Sequence, residues 1–165
     1  MAGTQRVRFP VLTLESDGEA ALIRGRIDRI DCKTAGGKRL FRVIDYKTGS
    51  GSASAGDIEK GTSIQIPLYL KAALEHILPD SILHDGVLYF LRDMEMRCYR
   101  ENRTAITGQS WEPYIEIAVH NACRAASGIR RGRFPTSSSC PDYCDFRPLC
   151  RGARLSMEHK AHADS

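Results

Sequence analysis

Three side chains in one short stretch have the types and spacing for phosphoryl chemistry. They are Asp28 in RIDRID (residues 26–31), and Asp45 and Lys47 in VIDYK (residues 43–47). Carboxylate oxygens are hard ligands, and two of them on adjacent strands suit Mg²⁺ or Mn²⁺. Hydrolysing a phosphodiester needs a cation to neutralise the phosphate, an activated water, and alignment of both with the leaving oxygen. Residues two apart in a strand share a face, so Asp45 and Lys47 point the same way. Asp45 can then hold the metal while the Lys47 ammonium lies over the water or the phosphate. Tyr46 points away, but its backbone carbonyl is free to serve as a further metal ligand. Taken by itself, VIDYK fits an exposed ion pair at a strand end better than a metal site, because Asp-x-Lys triplets are common.

The elements that must position these residues follow from hydrophobic periodicity. Residues 7–15 read as a strand, and Ser16, Asp17, Gly18 and Glu19 as a turn. Residues 21–32 alternate apolar and polar and read as a second strand, paired with the first as a hairpin. It carries Asp28. A turn at 33–38, with Gly36 and Gly37, leads to a third strand over 39–48, whose Val43 and Ile44 suggest burial on both faces. The Gly-, Ser- and Ala-rich residues 48–57 read as a mobile loop. A helix over 63–78 carries the apolar stripe Ile64, Leu68, Leu70, Ala73, Leu74 and Ile77, with Pro67 in its first turn. Residues 86–93 form a fourth strand and 109–131 a second long helix. The order predicts a mixed α/β domain with a small central sheet.

Composition sets the class. A chain of 165 residues with 42% hydrophobic and 27% charged residues suits one compact domain with a real core. No apolar run approaches a membrane span, and no signal peptide is evident, so a cytoplasmic location without membrane association is expected. The net charge of +4 is modest, but residues 124–154 hold seven arginines against only Asp142 and Asp145. That excess either contacts phosphates or forms a solvated face. Cys140, Cys144 and Cys150 cluster in CPDYCDFRPLC, which reads as metal or cluster ligation. Cys32, Cys98 and Cys123 are scattered and read as small buried hydrophobes.

Taken in order, these motifs resemble the PD-(D/E)XK nuclease superfamily, in particular its RecB/AddB-type branch. The resemblance runs over residues 10–151: RIDRID, VIDYKTG, GTSIQIPLYLKAAL, then GVLYFLRD and GRFPTSSSCPDYCDFRPLCR. It implies a restriction-endonuclease-like core, a small mixed sheet flanked by helices. It implies that Asp28 and Asp45 bind Mg²⁺ or Mn²⁺ and that Lys47 acts on water. Gln65 and Tyr69 match the Gln-x-x-x-Tyr helix of that branch. Four residues apart, they share one helical face, which can orient the lysine and touch the strand. The implied activity is exonucleolytic cutting of DNA in double-strand break processing, with single-stranded ends as substrate and a helicase subunit as partner.

The chain departs from the branch in two ways. The family takes another metal ligand, His or Glu, from a helix upstream of Asp28. Here no His precedes Asp28, and Glu15 and Glu19 belong to the predicted hairpin. The chain is therefore expected to begin just after that helix, as a C-terminal piece of a larger protein or a natural short form. The family's [4Fe–4S] cluster uses four cysteines, one of them far upstream. Cys140, Cys144 and Cys150 supply three, spaced C-x3-C-x5-C rather than the usual C-x2-C-x5-C. The expected layout is a nuclease domain over 1–151, with the cysteine segment at 132–151, and a disordered tail over 152–165. Two other classes fit less well: a non-catalytic DNA-binding module of the same fold, and a zinc-binding interaction domain built on the three cysteines.

Overall fold

The computed structural model describes residues 11–49, 51 and 53–133. The backbone divides into a unit of residues 1–127 and a unit of residues 128–165. The predicted cysteine segment, apart from Gly132 and Arg133, and the polar tail lie outside the described residues.

Strands β1 (Leu12–Ser16) and β2 (Glu19–Ile23) form the expected hairpin. Asp17 and Gly18 both have positive φ, 50° and 74°. Such two-residue turns match the right-handed twist of the strands they join. Leu12, Leu14 and Ala21 turn into the core. The second predicted strand is in fact two. β2 stops at Ile23, residues 24–28 lie outside any ladder, and β3 (Arg29–Ala35) pairs instead with β4 (Lys38–Lys47) through a turn at Gly36 and Gly37. Asp28 therefore stands just before β3, not within a hairpin strand.

The main sheet has the order β3-β4-β5-β6, where β5 is Ile82–Phe90 and β6 is Glu95–Cys98. β4 and β5 are parallel and the other two pairings antiparallel, so the sheet is mixed and small. A register shift interrupts the β4–β5 pairing. Phe41 faces Leu83 and Arg42 faces Asp85, which leaves His84 as a surplus residue in β5. Beyond it, Arg42 grips the buried Asp85 through two hydrogen bonds of 2.7 and 2.9 Å. β5 begins four residues before the predicted fourth strand, and the short strands β6, β7 (Arg100–Glu101) and β8 (Thr104–Ala105) carry no clear apolar alternation in sequence.

The predicted loop over 48–57 ends early, because α1 (Ala55–Glu59) begins within it. Ser54 caps α1, accepting the Asp57 backbone N–H at 3.2 Å. The first predicted long helix is α2 (Gln65–Ala72) continued by a π-helical turn, Ala73–Ile77. The second is a 3₁₀ turn, Gly108–Trp111, running into α3 (Glu112–Arg130). α2 packs on β4 and β5, and Trp111, Tyr114, Ala118, Val119, Ala122 and Cys123 join the core. Cys123 is thus the small buried hydrophobe expected. Cys98 is half-buried, whereas Cys32 is exposed on the edge strand β3, contrary to expectation.

Gly86 sets how near α2 comes to the sheet. A Cβ there would lie 2.4 Å from Ile66 Cγ2, 3.3 Å from Leu70 Cδ1 and 3.4 Å from Trp111 Cζ2. Ile66 and Leu70 are fully buried and cannot swing away. Gly86→Ala should destabilise the fold by about 1–3 kcal/mol, the usual cost of overpacking. Urea denaturation should show a lower midpoint at unchanged slope. An unchanged midpoint would mean that α2 does not lie this close.

Tyr114 gives a pH test of the same core. Burial, and then the adjacent Glu101, push its hydroxyl up to about 12. An unfolded tyrosine ionises near about 10. Between these values the unfolded chain loses the proton and the folded chain keeps it. This contribution to stability is therefore whole below about pH 10 and is lost as the pH rises through about 12. Stability measured across that window should fall for the wild type, and fall less for Tyr114→Phe.

Candidate active site

The site is built where β3 stops and β4 continues. The β3–β4 register ends at the pair Arg29 and Ile44. Asp45, Tyr46 and Lys47 then pair only with β5, opposite Leu88, Tyr89 and Phe90. Asp28 occupies the side that β3 has vacated: its Oδ2 accepts the Tyr46 backbone N–H at 3.2 Å. A strand residue sends its N–H and C=O to the same side, so the Tyr46 carbonyl leaves β4 on the side of Asp28.

Strand alternation separates the side chains. Tyr46 lies on the face away from α2, edge-on to Tyr89 at 5.6 Å between ring centroids. Its hydroxyl accepts from Arg29 Nη1 at 3.3 Å. Arg29 is also held by Asp31 at 2.6 and 3.0 Å, and that carboxylate, followed by Tyr46, raises its pKa further above the ordinary guanidinium value.

On the α2 face, Asp45 is 2% exposed. Lys47 Nζ lies 2.6 Å from Asp45 Oδ2, an ionic contact without hydrogen-bond geometry, so this buried oxygen has no hydrogen bond. The exposed ion pair that VIDYK also fitted is not what forms: the carboxylate is buried, and only the lysine, at 38%, reaches solvent. Lys47 Nζ donates to Gln65 Oε1 at 2.7 Å, and Gln65 Nε2 donates to Tyr69 Oη at 2.8 Å. Polarity fixes the direction of this chain. An ammonium only donates, so the Gln65 oxygen must face Lys47 and its NH₂ must face Tyr69. With Tyr69 Oη accepting, its own O–H is left to donate elsewhere.

The structure thus brings Asp45, Lys47, Gln65 and Tyr69 into one connected set, with Asp28 and the Tyr46 backbone beside it. Cys140, Cys144 and Cys150 lie outside the described residues. Three further residues shape the site without having stood out in sequence. Gly86 sets the depth of α2; a lone glycine in an apolar strand was the available signal. Ser63 and Tyr99 bond to each other at 2.6 Å just ahead of α2. Burial of the Tyr99 hydroxyl raises its pKa, the Ser63 bond opposes this, and Asp45 and Asp57 add to the rise. No periodicity marks that pair.

The donors fit a hard divalent cation. Asp45 Oδ2 is buried and lacks a hydrogen bond, and Asp28 and the Tyr46 carbonyl are oxygens on the vacated side of the same strand end. Among the described residues no three His, Cys, Asp or Glu side chains form a metal-holding group. The protein donors are then two carboxylates and a carbonyl, and Mg²⁺ commonly keeps several waters beside one or two carboxylates.

Comparison with known proteins gives the family. The sequence model of the PD-(D/E)XK nuclease superfamily matches residues 2–151, and the chain belongs to that superfamily. The small mixed sheet with flanking helices is consistent with its restriction-endonuclease-like fold. Among curated proteins, the chain is similar to an ATP-dependent helicase/deoxyribonuclease subunit of Clostridium acetobutylicum, 37% identical over 89 residues, covering 52% of this chain and 8% of that protein. The protein of the same name from Carboxydothermus hydrogenoformans is 38% identical over 88 residues, with the same shares of each. That from Ruminiclostridium cellulolyticum is 35% identical over 116 residues, 67% of this chain and 9% of that protein. The matches thus span less than a tenth of the length of these relatives.

Gln65→Met removes the acceptor for Lys47 and the donor to Tyr69 together. Lys47 should lose its aim, and nuclease turnover should fall about 100-fold, as for misplacement by about 1 Å. Gln65 is exposed, so thermal stability should stay within about 0.5 kcal/mol. Steady-state kinetics beside a melting curve separates the two effects; equal loss of both would mean that Gln65 is merely structural.

Proposed function

We propose that this chain is the DNA-cutting domain of a helicase–nuclease, hydrolysing phosphodiester bonds with Mg²⁺ or Mn²⁺. One observation carries the reading: a buried Asp45 oxygen without a hydrogen bond, beside a lysine aimed by Gln65 and Tyr69. Asp28, Asp45 and the Tyr46 carbonyl would hold the cation. When bound, it would supply charge neutralisation at the phosphate and a more acidic water. Lys47 retains a donor beyond Asp45 and Gln65, and directs it at the attacking water or at the charge developing on the phosphate. Tyr69 donates its outward O–H to the strand. The names of the similar proteins support a place beside a helicase with DNA as substrate; in our reading the chain acts on single-stranded ends during processing of double-strand breaks. The domain would cover residues 1–151. Cys140, Cys144 and Cys150 would contribute to a structural [4Fe–4S] cluster in the full protein.

In the intact protein, Asp45→Ala and Lys47→Ala should each lower Mg²⁺-dependent DNA cleavage by roughly a thousandfold, on the scale of removing a transition-state contact. EDTA should abolish cleavage by the wild type. Full activity in either variant sinks the assignment.

A non-catalytic DNA-binding module is the second reading. It is favoured by the protein supplying only two carboxylates at this site among the described residues. DNA binding unchanged by EDTA, with no cleavage by the intact protein in Mg²⁺ or Mn²⁺, would replace the first reading with this one.

A further inference from the structure

The crossing between β2 and β3, residues 24–28, carries Arg24 and Arg26 beside the candidate metal ligand Asp28, and Arg29 opens β3. Two of these arginines have no use in the site as described. Arg29 is committed to Asp31 and Tyr46. Arg24 and Arg26 are both exposed, and the Arg26 side chain is 90% exposed, with only a loose approach of 3.9 Å to Asp28 Oδ1. The segment reads with period two. Ile23 and Ile27 pack against the core, and Gly25, between them, faces the Tyr69 ring, where a Cβ would sit 3.7 Å from Cε1. Arg24 and Arg26 are exposed beside it, while Asp28 turns its carboxylate to the Tyr46 backbone. In an extended chain, residues two apart are separated by about 6.6 Å, similar to the step between successive phosphates of an extended nucleic-acid strand.

We infer that Arg24 and Arg26 form a phosphate-binding row. It holds the sugar-phosphate backbone of a DNA single strand next to the candidate cation site at Asp28. This rests on the nuclease reading and adds to it the track along which the strand enters. Each guanidinium offers a planar fork of donors suited to phosphate oxygens. The row is sequence-independent, since phosphates carry no base identity.

The test uses the 165-residue chain in EDTA, where binding is read without cleavage. The probe is a fluorescein-labelled oligo(dT) of about 20 nucleotides, followed by anisotropy across a salt series. Each phosphate contact on a single strand contributes about 0.7 to the slope of log affinity against log salt. Arg24→Gln/Arg26→Gln should lower that slope by about 1.4 and weaken binding roughly tenfold or more at about 0.1 M salt. The charge-matched control is Lys38→Gln/Arg39→Gln, at the turn that opens β4, which should bind like wild type. Unchanged melting midpoints confirm that both variants fold. The inference is overturned if the arginine variant keeps the wild-type slope, if the control loses as much, or if the chain does not bind the probe. Binding lost in the arginine variant, in a protein that never cleaves, would uphold the row while refuting the catalytic reading.

Discussion

The close approach of α2 to the sheet is the constraint on which the site depends. A carboxylate as buried as Asp45 persists as a charge only with a partner at short range. Lys47 can be that partner from two residues away, but its four-carbon stem has many rotamers, and one must be selected. Gln65 selects it from the first turn of α2. It reaches Nζ only because Ile66 and Leu70 sit directly on a strand position with no side chain, Gly86. The distance between a helix and a sheet thus becomes the aim of an ammonium group.

The polar groups of the site are arranged as donors and acceptors that leave little choice. Asp28 accepts from the backbone of β4, so the end of β3 and the end of β4 are tied by a side chain where the ladder runs out. Lys47, Gln65 and Tyr69 pass hydrogen bonds in one direction and finish on a hydroxyl whose own proton is left to donate. The Ser63–Tyr99 bond and the Ser54 cap stabilise the chain that leads into α2 from the core side. Networks that are satisfied in this way rigidify what they connect, which is what a positioned reaction requires.

Much of this was legible in sequence, for physical reasons. The apolar run within residues 39–48 gave β4, and the alternation of side chains along any strand placed Asp45 and Lys47 on one face. Spacing of four put Gln65 and Tyr69 together. Glycines at 18, 36 and 37 marked both tight turns. What stayed hidden depends on partners distant in the chain. The alternation of residues 21–32 could not reveal that β2 and β3 belong to different sheets, because each stretch fits a strand by itself. VIDYK could not report the burial of Asp45, which comes from α2. The exposure of Cys32 follows from β3 being an edge strand. The short β6, β7 and β8 have too few residues for a period to emerge.

The surplus His84 in β5 has a consequence of phase. Leu83 and Asp85 share parity, yet they pair with Phe41 and Arg42, which lie on opposite faces of β4. The extra residue resets the alternation partway along the strand. Upstream of it, odd-numbered positions look toward α2; downstream, even-numbered positions do. Without that reset, the apolar start of β5 would carry Asp85 under the helix and turn Gly86 out to the far face. The gap that admits Ile66 would close, and Gln65 would be carried away from Lys47. One unpaired residue, some distance from any candidate ligand, keeps the two halves of the strand in step with the chemistry at its end.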